Sequence, residues 1–355
     1  MPPRLPSLAG QMTRRGLLLC GLAAVLFGTS APLAARLTEQ VSGFTLAGLL
    51  YVGAAIAVVP MVGRRTPTAA SMRRGWVRLA VAVVMGGAFG PALLAFGLAH
   101  ASAATSSLLL NLELVFTTLV AALVFREHVG RRVVAGTVLV FTASVMLGWS
   151  GSADLRWGVL LIAGACLCWA VDNCVTAALD ELAPAFITFV KGLVAGTVNL
   201  LIGIAINGLP PTGATVAALI IGAFGYGVSI TLWVAGAREL GAARGQLVFA
   251  TAPFVGAVVA WTVLGDRVAG SQLVAVGIAV AGVVLVMHSD HVHEHHHDAV
   301  EHDHEHTHDD KHHHHTHPVG PDGRHQHVHH HDAIHHAHPH VPDIHHRHPH
   351  DSAAA

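Results

Sequence analysis

The sequence predicts an all-α integral membrane protein: ten transmembrane helices arranged as two inverted five-helix repeats, followed by a disordered His-rich tail. Three observations predict it. Of the 355 residues, 53% are apolar and only 12% charged, whereas ordinary soluble domains run near a quarter charged. The body divides into ten apolar stretches of about 20 residues, the length a helix needs to cross a bilayer. Residues 103–147 and 242–286 also align without gaps at an offset of 139.

The ten stretches lie near 16–36, 41–62, 76–98, 101–125, 132–149, 157–179, 185–207, 213–236, 244–264 and 270–287. They lack the two-residue alternation of a barrel strand, so helices are the spanning element. With the N-terminus in the cytoplasm, thirteen arginines fall on the inner side (Arg4, Arg14, Arg15, Arg64, Arg65, Arg73, Arg74, Arg78, Arg126, Arg131, Arg132, Arg238, Arg244) and three on the outer (Arg36, Arg156, Arg267). This positive-inside bias, with an even number of spans, predicts a multi-pass protein of the cell (inner) membrane with both termini cytoplasmic. Arg14–Arg15 before an apolar run resembles an export signal, but nine further spans follow, so the segment reads as a retained first helix.

Charge separates the body from the tail. Residues 1–288 hold 17 Lys/Arg and 9 Asp/Glu, whereas 289–355 hold 3 and 12. The cysteines, Cys20, Cys166, Cys168 and Cys174, sit in apolar segments without a CxxC pair, which excludes a disulfide framework or zinc finger. No GxxxxGK[ST] loop and no catalytic triad occurs, so neither an ATP-driven pump nor an enzyme is expected, and no catalytic residue is assigned.

In the internal match, AATSSLLLNLELVFTTLVAALVFREHVG faces AARGQLVFATAPFVGAVVAWTVLGDRVA, each followed by a Val/Gly/Ala-rich helix. The turns Arg126-Glu127-His128 and Gly265-Asp266-Arg267 fall together. Five helices per half make the second half enter from the opposite side, a plan that puts the ligand site near mid-membrane between the halves. The run LLLNLELVFTTLVAALVFRE and its echo FATAPFVGAVVAWTVLGDRV resemble the EamA family of the drug/metabolite transporter superfamily. That resemblance covers roughly residues 17–287 and implies a ten-helix carrier that exports small metabolites by proton exchange. Where family members often carry proline, this chain has Leu114, while the second repeat has Ala252–Pro253. The expected organisation is a cytoplasmic N-terminus (1–15), a first repeat (16–148), an external linker (149–156), a second repeat (157–287) and a cytoplasmic tail (288–355).

Ionisable side chains inside a span are costly and mark function. Glu113 is the thirteenth residue of its segment, with no basic residue within one turn, and a lone carboxyl at that depth suits reversible proton binding. The bland alternative is a carboxyl that is simply protonated, or one hydrogen-bonded by Asn111 or a neighbouring helix. Asp172 and Lys191 lie nine or ten residues either side of the Glu181–Leu182 turn, so an antiparallel hairpin sets them at one depth, as a transport pair or as a purely structural clamp. Asn173 adds amide groups beside Asp172. Residues 27–32 occupy the stretch equivalent to 169–174, which brings Thr29 and Ser30 toward the same site. The substrate and proton-coupling candidates are thus Glu113, Asp172, Asn173, Lys191 and Ser30. Pro32, Pro91 and Pro253 free carbonyls at depth, which is tolerated where they line a cavity. Gly86/Gly90, Gly192/Gly196 and Gly241/Gly245 read as close-packing pairs.

From His288 to His350 the chain holds 28 histidines in 63 residues. It has few apolar side chains and cannot bury a core. Imidazoles among carboxylates assemble sites for divalent Zn, Ni, Co or Cu. The densest candidates are His291, His293, His295, His296, His297, His302, His304, His306, His308, His312, His313, His314, His315 and His317. Transport itself requires no cofactor. The expected partners are the lipid bilayer, protons as coupling ion and a small-molecule or metal-ion substrate; nucleic acid is excluded and a homodimer is allowed. The preferred reading is a proton-coupled exporter whose tail binds divalent metal as cargo or regulator. The alternatives are an exporter of a small organic metabolite or amino acid with the tail as metal or pH sensor, and a membrane-tethered metal buffer.

Overall fold

A computed structural model of the chain describes residues 8–62, 67–124, 130–149, 153–177, 179, 182–240, 248–287, 291–297, 300–306, 325–331 and 334–340. The chain forms two compact units, Met1–Ser289 and Asp290–Ala355.

The first unit is helical throughout its regular described segments. Its α-helices are α1 (Leu8–Ala35), α2 (Gly43–Val62), α3 (Ala69–Ala82), α4 (Gly90–Leu98), α5 (Ala103–Leu109), α6 (Leu112–Leu123), α7 (Arg131–Trp149), α8 (Ala153–Ala177), α9 (Pro184–Asn207), α10 (Thr212–Gly222), α11 (Ser229–Leu240), α12 (Ala252–Thr262) and α13 (Gly270–Met287). Apolar runs without water must satisfy their backbone internally, and a helix does so within one segment. Among the described residues, seven stretches are long and apolar enough to cross a membrane: Arg14–Ala35, Gly43–Val62, Ser71–Leu98, Ala103–Val120, Leu155–Thr176, Pro184–Asn207 and Thr212–Gly236. Ala252–Thr262 and Gly270–Leu285 are apolar but shorter. Part of the stretch expected at 244–264 lies outside the described residues, as do Gly241, Gly245, Glu181 and the turn at Arg126–His128.

Two spans contain a π-helical segment, Val83–Phe89 between α3 and α4 and Ala223–Val228 between α10 and α11. Two others are broken by tight turns. Asn111 N–H bonds the Leu108 carbonyl between α5 and α6, and Thr251 N–H bonds the Val248 carbonyl just before α12. The first helix of each half packs into the opposite half. α1 lies against α11, α12 and the second π segment, and α8 against α4, α6 and the first. α2 runs along α9, and α7 along α13. Small residues permit these approaches; a Cβ on Gly48 or Gly196 would strike the facing backbone of α9 or α2. Pro32 sits inside α1, Pro91 opens α4 directly after the first π segment, and Pro253 opens α12 directly after its turn.

The second unit is described by itself, over four short stretches of backbone. Its described backbone forms β1 (His291–His297) antiparallel to β4 (Ile334–His340), and β2 (Val300–His306) antiparallel to β3 (His325–His331). The recurring His-x-His steps carry the two-residue period that a ladder requires.

Candidate functional site

The first π segment builds the site. Its Gly90 N–H bonds the Met85 carbonyl five residues back, and in that register the Gly86 carbonyl would take its bond from residue 91. Residue 91 is proline, which has no N–H. The orphaned Gly86 carbonyl instead accepts from the Tyr51 hydroxyl of α2 at 2.6 Å and the Trp169 indole N–H of α8 at 3.2 Å. Asn199 of α9 donates to the Ala88 carbonyl at 3.1 Å. Three helices are thereby pinned to one widened turn.

Against that turn lies an ion pair. Lys191 of α9 bonds Asp172 Oδ2 of α8, and Thr176 donates to Asp172 Oδ1 at 3.0 Å. The two side chains are 15% and 6% exposed, so the pair is withdrawn from solvent. Gly86 faces the Asp172 carboxylate with no room for a Cβ, and Gly87 lies against the Lys191 stem. One residue beyond Asp172, the Asn173 amide donates to Glu113 Oε1 at 2.7 Å, joining α8 to α6. Glu113 is half-buried at the start of α6, just after the Leu110–Asn111 turn. Asn111 donates to the Leu108 carbonyl within its own segment and caps no carboxylate.

The structure therefore brings together Glu113, Asn173, Asp172 and Lys191. Ser30 stands apart from that group. It is buried in α1, its hydroxyl donates to the Phe27 carbonyl at 2.6 Å, and its Cβ abuts Gly225 of the second π segment. Thr29 likewise bonds the Leu26 carbonyl at 3.0 Å. Tyr226 and Tyr51, with centroids 5.6 Å apart, bridge the Ser30 corner to the Gly86 carbonyl. Sequence reasoning missed Tyr51, Trp169, Asn199 and Tyr226. The signal available was Pro91, whose missing N–H leaves one carbonyl of the preceding turn needing a donor.

Of the metal candidates, His291, His293, His295, His296, His297, His302, His304 and His306 fall on β1 and β2. His308, His312, His313, His314, His315 and His317 lie outside the described residues. Among the described residues, no group of three or more His, Cys, Asp or Glu is arranged to hold a metal ion.

The sequence that builds this apolar helical body matches the pattern of an EamA-like transporter family twice, over residues 14–149 and 156–288. The chain belongs to the EamA-like transporter family. It is 27% identical over 286 residues to an uncharacterized transporter of Methanothermobacter thermautotrophicus, a match covering 74% of this chain and 83% of that one. A solved crystal structure shares the fold, with a TM-score of 0.57 and 19% identity, covering 76% of this chain and 96% of that one. This EamA-like protein is thus a membrane transporter, not an enzyme.

Proposed function

We propose that this EamA-like protein is a proton-coupled secondary exporter of the cell membrane, with ten spans in two inverted repeats and both termini in the cytoplasm. Glu113 is the coupling carboxyl, and Asp172, Lys191 and Asn173 complete the cargo site. The observation that carries this reading is the Asn173–Glu113 hydrogen bond beside the Asp172–Lys191 pair, where an otherwise unpaired carboxyl meets a compensated one. Charge counting gives its meaning. Two carboxylates and one ammonium leave one negative charge, and a proton on Glu113 removes it. A net charge within a membrane span is costly, so proton release and cargo binding are linked through that carboxyl. Support for the repeat comes from repeated irregularities: π segments at Val83 and Ala223, and broken spans at Asn111 and Thr251.

Reconstitution into proteoliposomes tests the coupling, using a panel of organic ions, amino acids and divalent metals. In Glu113→Gln, flux driven by a pH gradient falls to the level of empty vesicles, while counterflow of the same cargo continues. Gradient-driven flux that survives the substitution overturns the assignment.

The tail binds divalent transition metal as a regulator of this carrier. Metal as cargo is the weaker reading, because the central site offers carboxylates, an amide and an ammonium rather than imidazoles or thiolates. The antiparallel register supports the tail's role by setting His293 opposite His338, His295 opposite His336 and His304 opposite His327. Deleting residues 289–355 abolishes most Zn²⁺ binding by titration calorimetry and makes flux independent of metal. Metal-dependent flux in the truncated protein refutes regulation by the tail.

A further inference from the structure

The turn Gly265-Asp266-Arg267, prominent in the sequence repeat, plays no part in the site above. It stands at the membrane end where α5 begins and α12 ends, external in the proposed orientation. Three side chains there cross from one half of the body to the other. Asp266 Oδ2 accepts the Ala104 N–H at the start of α5 at 3.0 Å. Gln272 at the start of α13 donates to the Thr105 hydroxyl at 3.0 Å, and its carbonyl accepts from the Trp261 indole at 3.2 Å and the Ala269 N–H at 3.1 Å. Arg36, just beyond α1, donates to the Leu264 carbonyl. Under these polar contacts Ala103, Ala104 and Ala260 form a small apolar plug, packed by Ala35, Trp261 and Leu264.

The linker is shaped for this contact. Gly265 has a φ of 74°, a left-handed conformation suited to glycine, and it returns the Asp266 N–H to the Ala260 carbonyl at 3.0 Å. Ser102 and Thr105 are already bonded to each other at 3.0 Å, so the Gln272 contact extends a chain of polar groups. Burial along the broken span differs by end. Every residue from Ala103 to Leu112 is buried, whereas Leu119, Leu123 and Val124 at the other end are 44%, 77% and 70% exposed. Through the Leu110–Asn111 turn, the latched half-helix leads directly to Glu113.

We propose that Asp266, Gln272 and Arg36 form a latch that seals this end of the carrier and opens when the cargo path faces that side. Inverted-repeat carriers rock one bundle against the other around a fixed site, which requires releasable contacts between halves at each end. Hydrogen bonds to one backbone N–H and one hydroxyl suit that task, since each is modest in strength and can re-form. The latch rests on the transporter assignment and not on proton coupling or on the tail.

The test uses the full-length protein in lipid nanodiscs, with spin labels on the exposed positions Gln40→Cys and Val268→Cys and distances read by pulsed electron resonance. A sample without introduced cysteines measures labelling of the buried native ones. Asp266→Ala combined with Gln272→Leu raises the ratio of long to short distances about tenfold over the parent. Asp266→Asn, which keeps an oxygen acceptor for the Ala104 N–H, stays within about threefold of the parent. If the double variant does not fold, Gln272→Leu alone is read the same way, with an increase of about threefold or more expected. Distance distributions that superimpose on the parent's in a folded variant overturn the latch, as does opening by Asp266→Asn as large as that of the double variant. Neither readout depends on proton-driven flux, so this proposal can fail while the Glu113 assignment stands, and the reverse.

Discussion

Two corners of the helical body share a backbone plan and differ in chemistry. At one, Gly86 of the first π segment faces Asp172 of α8; at the other, Gly225 of the second π segment faces Ser30 of α1. The first corner holds an ion pair sealed by Tyr51 and Trp169 around an orphan carbonyl. The second holds a hydroxyl that bonds its own helix. The same contrast recurs where Glu113 follows one broken span and Ala252 follows the other. Two corners with a similar glycine contact thus differ in charge, which is concentrated at one of them.

Substituting the two facing glycines breaks the comparison most strongly. Gly86→Val drives a side chain into the Asp172 carboxylate and separates it from Lys191. Losing a buried ion pair in this way costs about 3–5 kcal/mol, before any overpacking. Gly225→Val meets the neutral Ser30 and costs about 1–3 kcal/mol, an overpacking penalty alone. Thermal denaturation in detergent ranks the two; equal losses would mean that the ion pair contributes nothing particular to its corner.

The pair itself comes next. Lys191→Met leaves Asp172 buried with only Thr176 and destabilises the protein by about 3–5 kcal/mol, whereas Asp172→Asn together with Lys191→Met recovers most of that loss. Folding and transport then separate: the double variant melts near the parent temperature but carries no cargo. A double variant that transports normally would reduce the pair to a clamp between α8 and α9.

Much of this was legible in the sequence, for identifiable reasons. Glu113, Asp172 and Lys191 stand out because a charge in an apolar run has few explanations, and the short turn between α8 and α9 fixes the last two at one depth. The π segments were not legible. Gly86 and Gly90 read as helix-packing glycines, and nothing in the composition of Val83–Phe89 or Ala223–Val228 distinguishes a widened turn from an ordinary one. Gly86 does pack closely, but against a carboxylate, and Gly90 packs against the Trp169 indole. Tyr51 and Trp169 were hidden because each is a polar tip on a side chain that also suits an apolar span, and Asn199 because an uncharged amide does not stand out among ionisable groups. Ser30 was placed near Asp172 from repeat alignment alone, and alignment locates an equivalent position without saying what fills the space between.

A smaller effect is expected at Tyr51. Tyr51→Phe removes one of two donors to the Gly86 carbonyl and leaves the Trp169 indole in place. A partly satisfied carbonyl costs about 1 kcal/mol. The change also loosens the π segment beside Lys191, so flux should fall several-fold while the melting temperature drops by a few degrees. Unchanged flux at a lowered melting temperature would make Tyr51 structural only.

The smallest effect belongs to Ser30, and it sharpens the comparison because the position is equivalent to the Asp172 region. Its hydroxyl donates to the carbonyl three residues back, a bond that trades one helix interaction for another. Ser30→Ala should therefore shift stability by no more than about 1 kcal/mol and leave the pH dependence of flux in place. Ser30→Asp is the informative partner. It puts a carboxyl into the neutral corner against Gly225, near Tyr226 but without a lysine, since the residue of α2 that matches Lys191 is apolar at either offset, Leu49 at 142 and Val52 at 139. A buried carboxyl without a cationic partner must take up a proton or destabilise the fold. If Ser30→Asp instead folds normally and adds no proton to the transport stoichiometry, charge is tolerated equally at both corners, and the asymmetry of the site is an accident of sequence.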